Sequence, residues 1–449
     1  MSYTASYNPS FGTLGMEVAK LWPERDLIGR TGHQRDTLGL AISGGGYRSA
    51  IFGYGILHGL HRLGLLTQVD YLSAVSGGSW ISMPFAMAEF GMVDIAARES
   101  FFRLPDTKAN FMEEGFESLL VNPVRLAEEA ALTRAEDNFV SDLYGRLLAK
   151  TFLREYGDQS RWKPLGSDLI RDQDRPFLIV NGTVNFRRSS SFDITQECFE
   201  MTRLYCGSRS AGYVDSIQLL ADDDPIRIRD AIAMSGAAVA VHLPGLGEEV
   251  SGHGLSRQVV NYVLDDQGRP RPDAPANPPL GHGLDVADGG HYNNLGVESL
   301  VNRGCGFIIV VDAEHDPEMK TSTSSNQKYE GLRTLMQRNH IPQPDIAIAT
   351  LDRADEPVHY LPGNAQQPDI LYVKLKSSTA FDAEAAQETY NQPGFLQNLF
   401  GNGRFSFNPQ FSTAKLDYNF TEHRNLTQLG AFVVRDNATL FTDFVGRVG

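Results

Sequence analysis

Two short apolar runs, Leu38–Ile42 and Val69–Val75, lie either side of a helical pattern from Arg48 to Leu66, and this arrangement most constrains the fold. Neither run has a polar alternate face. A strand that is apolar on both sides must be covered on both sides, the condition of a parallel sheet between helices. The intervening segment carries Ile51, Ile56, Leu57, Leu60 and Leu63–Leu66 on helical spacing despite its glycines. Strand, helix and strand within about forty residues make a βαβ unit. Further candidate strands lie at Phe177–Val180, Gly306–Asp312, Pro344–Thr350 and Ile370–Leu375, and several of them share this character. The expected fold class is α/β.

Residues 94–170 read as a helical insertion, with patterns over Ile95–Leu104, Ala109–Leu120 and Pro123–Phe152. Residues 265–283 are dense in Pro, Gly and Asp and read as a surface loop; Ala380–Pro409 reads as irregular. With no internal repeat and no clean linker, residues 1–449 are expected to form a single elaborated domain. Its core would span about 38–315 and a C-terminal extension 316–449.

The charge balance narrows the function. Forty Lys and Arg against 55 Asp and Glu give a net charge of −15, which argues against nucleic acid and against bulk attraction to anionic lipid. No run approaches the roughly 18 to 20 apolar residues of a membrane span. The first thirty residues show no apolar stretch behind a basic start, and Cys198, Cys206 and Cys305 are too few and scattered for a disulfide framework or zinc site. A cytoplasmic protein is expected, with peripheral and transient membrane contact at most.

Three glycine-rich segments carry the chemistry, each after an expected strand. In the first, Ser43-Gly44-Gly45-Gly46-Tyr47-Arg48, consecutive glycines leave backbone N–H groups unshielded ahead of a helix. That suits an anion or a developing oxyanion. No Gly-Lys-Ser/Thr follows, so a nucleotide phosphate is a poorer fit. The second is Ala74-Val75-Ser76-Gly77-Gly78-Ser79-Trp80, ahead of a helical run to Phe90. A serine at a sharp strand-to-helix turn needs small neighbours, as in G-x-S-x-G, and Ala74 and Gly78 take the flanking places here. Ser43 and Ser79 are rival nucleophiles with less suitable flanks. The third, Asp285-Val286-Ala287-Asp288-Gly289-Gly290-His291-Tyr292-Asn293-Asn294, offers a carboxylate that its glycines leave open to close approach. Alone, each of the first two is equally a tight turn, and the third is more often one.

In this order and spacing the three segments resemble the catalytic domain of patatins and cytosolic phospholipase A2, a serine–aspartate lipid acyl hydrolase family. Glu197–Val214, Ala231–Ala238 and the Leu-x-x-Leu-Gly pattern closing Phe420–Gly430 add lesser echoes. The resemblance implies a three-layer fold with a mostly parallel central sheet, helices on both faces and a helical insertion near the active site. It implies Ser76 as nucleophile, Asp288 as general base, and Gly44, Gly45 and Gly46 as the oxyanion hole, with Gly77 as a further donor. Arg48 would face the substrate phosphate. The implied substrate is a phospholipid or lysophospholipid, with no metal, cofactor or protein partner. The chain ahead of Leu38 is expected to be too short for the family's calcium-binding lipid-targeting module.

Other groups have a chemical reading beside a bland one. His291 offers a Ser–His–Asp triad. His58 and His61 have metal-like i, i+3 spacing but suit a helix face. Asp312-Ala313-Glu314-His315-Asp316 is a candidate cation site or simply a strand end. The pairs Arg187/Arg188 and Arg227/Arg229 are candidate head-group contacts or solvated surface. A neutral lipase or esterase with the same dyad, and a lipid-binding protein without turnover, are the rival functions.

Overall fold

The computed structural model describes residues 22, 24, 36–87, 139–153, 165, 176–187, 195–208, 211–216, 226–237, 241–242, 249–250, 257–260, 267, 269, 280–316, 356–364, 367–390, 407–413, 415, 418 and 420–448. The expected strand Pro344–Thr350, most of the insertion 94–170 and most of the loop 265–283 lie outside these residues.

In chain order the elements are β1 (Leu38–Ile42), α1 (Gly46–Arg62), β2 (Tyr71–Val75), α2 (Gly77–Met87), α3 (Phe139–Leu148) and β3 (Phe177–Arg187). Then come β4 (Thr195–Thr202), β5 (Tyr205–Ser208), β6 (Gly212–Asp215), α4 (Ile228–Ser235), β7 (Val241–His242), β8 (Glu249–Val250), β9 (Arg257–Val260) and β10 (Leu280–Asp288). The rest are α5 (Gly290–Asn293), α6 (Glu298–Asn302), β11 (Phe307–Asp312), β12 (Val358–Leu361), β13 (Asp369–Lys374), α7 (Thr379–Tyr390), α8 (Phe420–Asp436) and α9 (Ala438–Val445).

The main sheet runs β12-β13-β11-β1-β2-β3-β4-β5-β6. Strands β13, β11, β1, β2 and β3 are mutually parallel, as the doubly apolar runs require; β12 and β4 to β6 extend this centre antiparallel. Alternate residues of the central strands feed two cores. Leu40, Ile42, Leu72, Ile309 and Val311 pack with α1, α2 and α8, while Ala41, Tyr71, Ile308 and Val310 pack with Leu295, Val297 and Leu300 around α6. Helices therefore cover both faces.

The glycines of α1 have a packing reason. A Cβ at Gly55 would collide with the carbonyl of Thr427, and one at Gly430 would lie 2.5 Å from the Phe52 carbonyl. Helices α1 and α8 cross with their backbones nearly touching, at a place where side chains would hold them apart. The C-terminal region thus braces the helix that the glycine loop opens, and β13 pairs directly with β11 inside the sheet.

Two sequence expectations need correction. Leu280–Gly283 belongs to β10, because pairing with β3 and β9 holds as strand what composition suggests is loop. Thr379–Tyr390 is helical, because its Ala, Glu and Gln are strong helix formers whatever the Gly/Asn-rich residues that follow.

Candidate active site

Strand β3 brings the site together. Along one edge, its residues 177–181 pair parallel with β2, ending with Val75 opposite Asn181. The same edge then pairs antiparallel with β10, beginning with Asp288 opposite Gly182. Two strands running in opposite directions therefore end against adjacent residues of a shared partner. Ser76 follows the end of one, and Asp288 is the last residue of the other. Gly289 lets the ends meet: a Cβ there would overlap the Asn181 carbonyl and come 2.9 Å from Val75 Cγ1.

Ser76 has φ of 49° and is the positive-φ residue other than glycine among the described residues. The left-handed region costs an ordinary residue on the order of 1–2 kcal/mol, so its surroundings must enforce it. They do so from both sides of the peptide. Ser76 N–H donates to Ser235 Oγ at 2.9 Å, and that hydroxyl donates onward to the Asn181 carbonyl at 2.7 Å. The Ser76 carbonyl accepts from the N–H of Ser79 at 2.8 Å, from the N–H of Trp80 at 3.3 Å and from Ser79 Oγ at 2.6 Å. The last contact gives the rival Ser79 a structural task. The other rival, Ser43, donates to the Gly44 carbonyl and accepts from the N–H of Ala313.

Small residues beside Ser76 are obligatory. A Cβ on Gly77 would collide with the Gly46 carbonyl, and one on Gly78 would collide with the Ile42 carbonyl. The glycine loop after β1 and the start of α2 are thus in backbone contact. Gly44 lies beside the candidate nucleophile, since a Cβ there would be 3.2 Å from Ser76 Cβ. Its N–H, however, donates to the Asn294 carbonyl at 2.8 Å. That hydrogen bond removes Gly44 from the expected donors. Gly45 and Gly46, with φ of 145° and 63°, stand at the cap and first position of α1, ahead of its intrahelical hydrogen bonding. Gly77 opens α2 in the same way.

Asp288 is 1% exposed and Ser76 4%. Asp288 Oδ1 accepts the N–H of Gly290 at 2.6 Å, and the Gly289 N–H donates to the Ser235 carbonyl. Ser235 therefore touches both strand ends. Tyr144 of α3 donates to the Gly236 carbonyl at 2.9 Å, and its phenol is pushed well above the ordinary range by burial and by the charge of Asp288. The described part of the expected insertion accordingly flanks the site: Tyr144 and Phe152 both pack on Trp80 of α2.

Arg48 departs from expectation. It is fully buried, with Nε 3.0 Å and Nη2 2.8 Å from the Ala313 carbonyl, and Nη1 on the Phe411 carbonyl. Nη2 also reaches Thr413 Oγ1 at 3.5 Å. A guanidinium so engaged fastens the glycine loop to the end of β11 and to residues 411–413, and is not presented to a phosphate. Arg229 is likewise no surface contact; it is buried near Asp142 and Asp230, at 3.6 and 3.5 Å. His291 is exposed whereas Ser76 and Asp288 are buried. His58 is half-buried on α1, 6.5 Å from the Tyr54 ring. In the 312–316 segment a cation is already in place, since Lys374 Nζ lies 2.9 Å from Asp312 Oδ2 and also contacts Asp316. Between those aspartates burial, and then the charge of Asp312, push Glu314 up to about 8.

Sequence reasoning gave no role to Asn181, Ser235 or Asn294. The buried Asn181 donates Nδ2 to Ser73 Oγ and the Ala74 carbonyl, and its Oδ1 accepts from Ser299 Oγ and Cys198 Sγ. Its signal was an amide at the end of an otherwise apolar run.

Residues 38–218 match the family described as the lysophospholipase catalytic domain. Lysophospholipase 1 of Candida albicans is 26% identical over 198 residues, 39% of this chain and 32% of that protein. Lysophospholipase 2 of Saccharomyces cerevisiae is 26% identical over 199 residues, 38% of this chain and 27% of that protein. The matched span thus covers about a third or less of those relatives' length. Human GIVD cytosolic phospholipase A2 shares the fold, with a TM-score of 0.62 at 15% identity over 94% of this chain and 62% of that one. Residues 38–218 are thus similar to the lysophospholipase catalytic domain, and the whole α/β architecture is similar in fold to a cytosolic phospholipase A2.

Proposed function

We propose that this protein hydrolyses acyl esters of phospholipids or lysophospholipids through a Ser76 acyl-enzyme, with Asp288 as general base. One observation carries the reading: Ser76, held left-handed, and Asp288 end two strands that meet on neighbouring residues of β3. Ser76 Oγ attacks the ester carbonyl as Asp288 takes its proton. The tetrahedral oxyanion forms against the N–H groups of Gly45 and Gly46, with Gly77 opposite; such donors are each worth roughly 10² to 10³ in rate. Collapse expels the lysolipid or glycerophospho alcohol, which takes the proton back from Asp288. Water, deprotonated by the same carboxylate, then releases the fatty acid and restores Ser76.

The occupied guanidinium of Arg48 favours a second, broader reading in which neutral esters are also substrates. The chain is read as one elaborated unit acting from the cytoplasm. Its three buried free cysteines support a reducing compartment. Among the described residues no helix is long and apolar enough to cross a membrane, and any bilayer contact is peripheral and transient. The test is fatty-acid release from lysophosphatidylcholine, diacyl phosphatidylcholine and a p-nitrophenyl ester. Release from the lipids that vanishes in Ser76→Ala supports the reading. Turnover of the p-nitrophenyl ester alone refutes the lipid assignment.

A further inference from the structure

Asn294 stands between the two halves of the candidate site and touches both. Its carbonyl accepts the Gly44 N–H at 2.8 Å. Its side-chain Oδ1 lies where a Cβ on Gly44 would collide with it, and 2.7 Å from where a Cβ on Gly290 would stand. That same Gly290 position is 2.8 Å from Asp288 Oδ1. On its far side, Asn294 Nδ2 donates to Glu314 Oε1 at 2.6 Å. Glu314 is itself fixed at the end of β11, where its N–H donates to Asp312 Oδ1 at 2.8 Å and Asp312 accepts from Lys374. One amide side chain thus fills the gap between the glycine loop beside Ser76 and the turn that carries Asp288, with a buried charged cluster setting its orientation.

We propose that Asn294 is a positioning residue, holding the Gly44 loop and the Asp288-Gly289-Gly290 turn at the separation that catalysis requires, with Glu314 fixing its amide. This rests on the reading of Ser76 and Asp288 as the reacting pair. The physical reason is geometric. The loop and the turn come from opposite ends of the chain's core, and displacement of one reacting group by about 1 Å can cost on the order of 10²-fold in rate. Removing the amide leaves both glycine segments without the group they close on.

The experiment uses the full chain and combines steady-state hydrolysis of lysophosphatidylcholine, a melting curve and the labelling rate with an alkyl fluorophosphonate. Asn294→Ala is expected to lower kcat about 10- to 100-fold. KM should stay within about twofold, because a positioning residue acts on the reacting groups rather than on binding. Glu314→Ala should lose about tenfold, whereas Glu314→Gln, which keeps an acceptor for the Asn294 amide, should recover most of it. Adding Asn294→Ala to Asp288→Asn should cost little beyond Asp288→Asn alone, since positioning matters only while the base works. A purely structural residue would lower the melting temperature, leave kcat intact below the transition and add its loss to that of Asp288→Asn; that pattern overturns the proposal. If Asn294→Ala does not fold, the Glu314 pair decides: equal activity in Glu314→Ala and Glu314→Gln overturns it. Absence of labelling in the wild-type chain refutes the Ser76 reading itself. Labelling at Ser76 with an unchanged rate in Asn294→Ala refutes only the positioning role.

Discussion

The main-chain N–H of Ser76 is held by the side-chain hydroxyl of Ser235, 2.9 Å away across 159 residues of sequence. That hydroxyl also donates to the Asn181 carbonyl, and the Ser235 carbonyl takes the N–H of Gly289, next to Asp288. A single serine therefore ties the strained turn to the strand beneath it and to the proposed base. Ser235→Ala leaves a buried N–H at a residue already in an unfavourable conformation, a loss of roughly 1–3 kcal/mol. The expected outcome is a lowered melting temperature and a fall in kcat, with Ser235→Thr, which keeps the hydroxyl, closer to wild type. Unchanged kcat in Ser235→Ala would show that the turn needs no such support.

Gly77→Ala tests the contact between the glycine loop and α2. The added methyl meets the Gly46 carbonyl, which cannot move without shifting the loop. Overpacking of this kind costs about 1–3 kcal/mol. Here it should also displace the proposed oxyanion donors, so activity should fall far more than stability does. Activity near wild type would mean that the loop is free to adjust.

Arg48 yields a prediction that its carbonyl partners dictate. Because Ala313, Phe411 and Thr413 occupy the guanidinium, Arg48→Ala should lower hydrolysis of phospholipid and of p-nitrophenyl ester in parallel, together with the melting temperature. Arg48→Lys should rescue poorly, since one ammonium cannot reproduce the fork. A loss confined to phospholipid would restore the head-group role that the sequence suggests.

The same residue shows what a sequence conceals. Its partner carbonyls lie 265 and 363 residues further along the chain, so no local spacing reveals them. By contrast, the strand Leu38–Ile42 coincides with its apolar run, because burial on both faces demands that composition. The turn at Ser76 was legible for a similar reason, since only small residues fit around it. The proposed oxyanion donors are legible as a segment and not individually. Which N–H is already engaged depends on Asn294, which lies far along the sequence from the glycine loop. The helix Thr379–Tyr390 was readable from its alanines and glutamates, but the Gly/Asn-rich stretch after it dominated the composition.

His423 supplies a pH dependence remote from the site. It is buried in α8, 6.3 Å from the Tyr47 ring, and burial pushes its pKa down to about 4. The unfolded chain therefore takes up a proton before the folded one does. Stability is complete above about pH 6.5 and falls as the pH drops towards 4, by about 2 kcal/mol at pH 5. His423→Leu should flatten the melting temperature between pH 7 and pH 5 relative to wild type. An equally steep fall in the variant would assign the acid sensitivity to other groups.

The central claim, a Ser76 nucleophile served by Asp288, is tested most directly by the rate and site of covalent modification with an alkyl fluorophosphonate, read by intact mass and peptide mapping. One adduct per chain on Ser76 is expected, none in Ser76→Ala, and a rate slowed by at least about 10²-fold in Asp288→Asn. An adduct on Ser43 or Ser79, or an undiminished rate in Asp288→Asn with a dead His291→Ala, would contradict it.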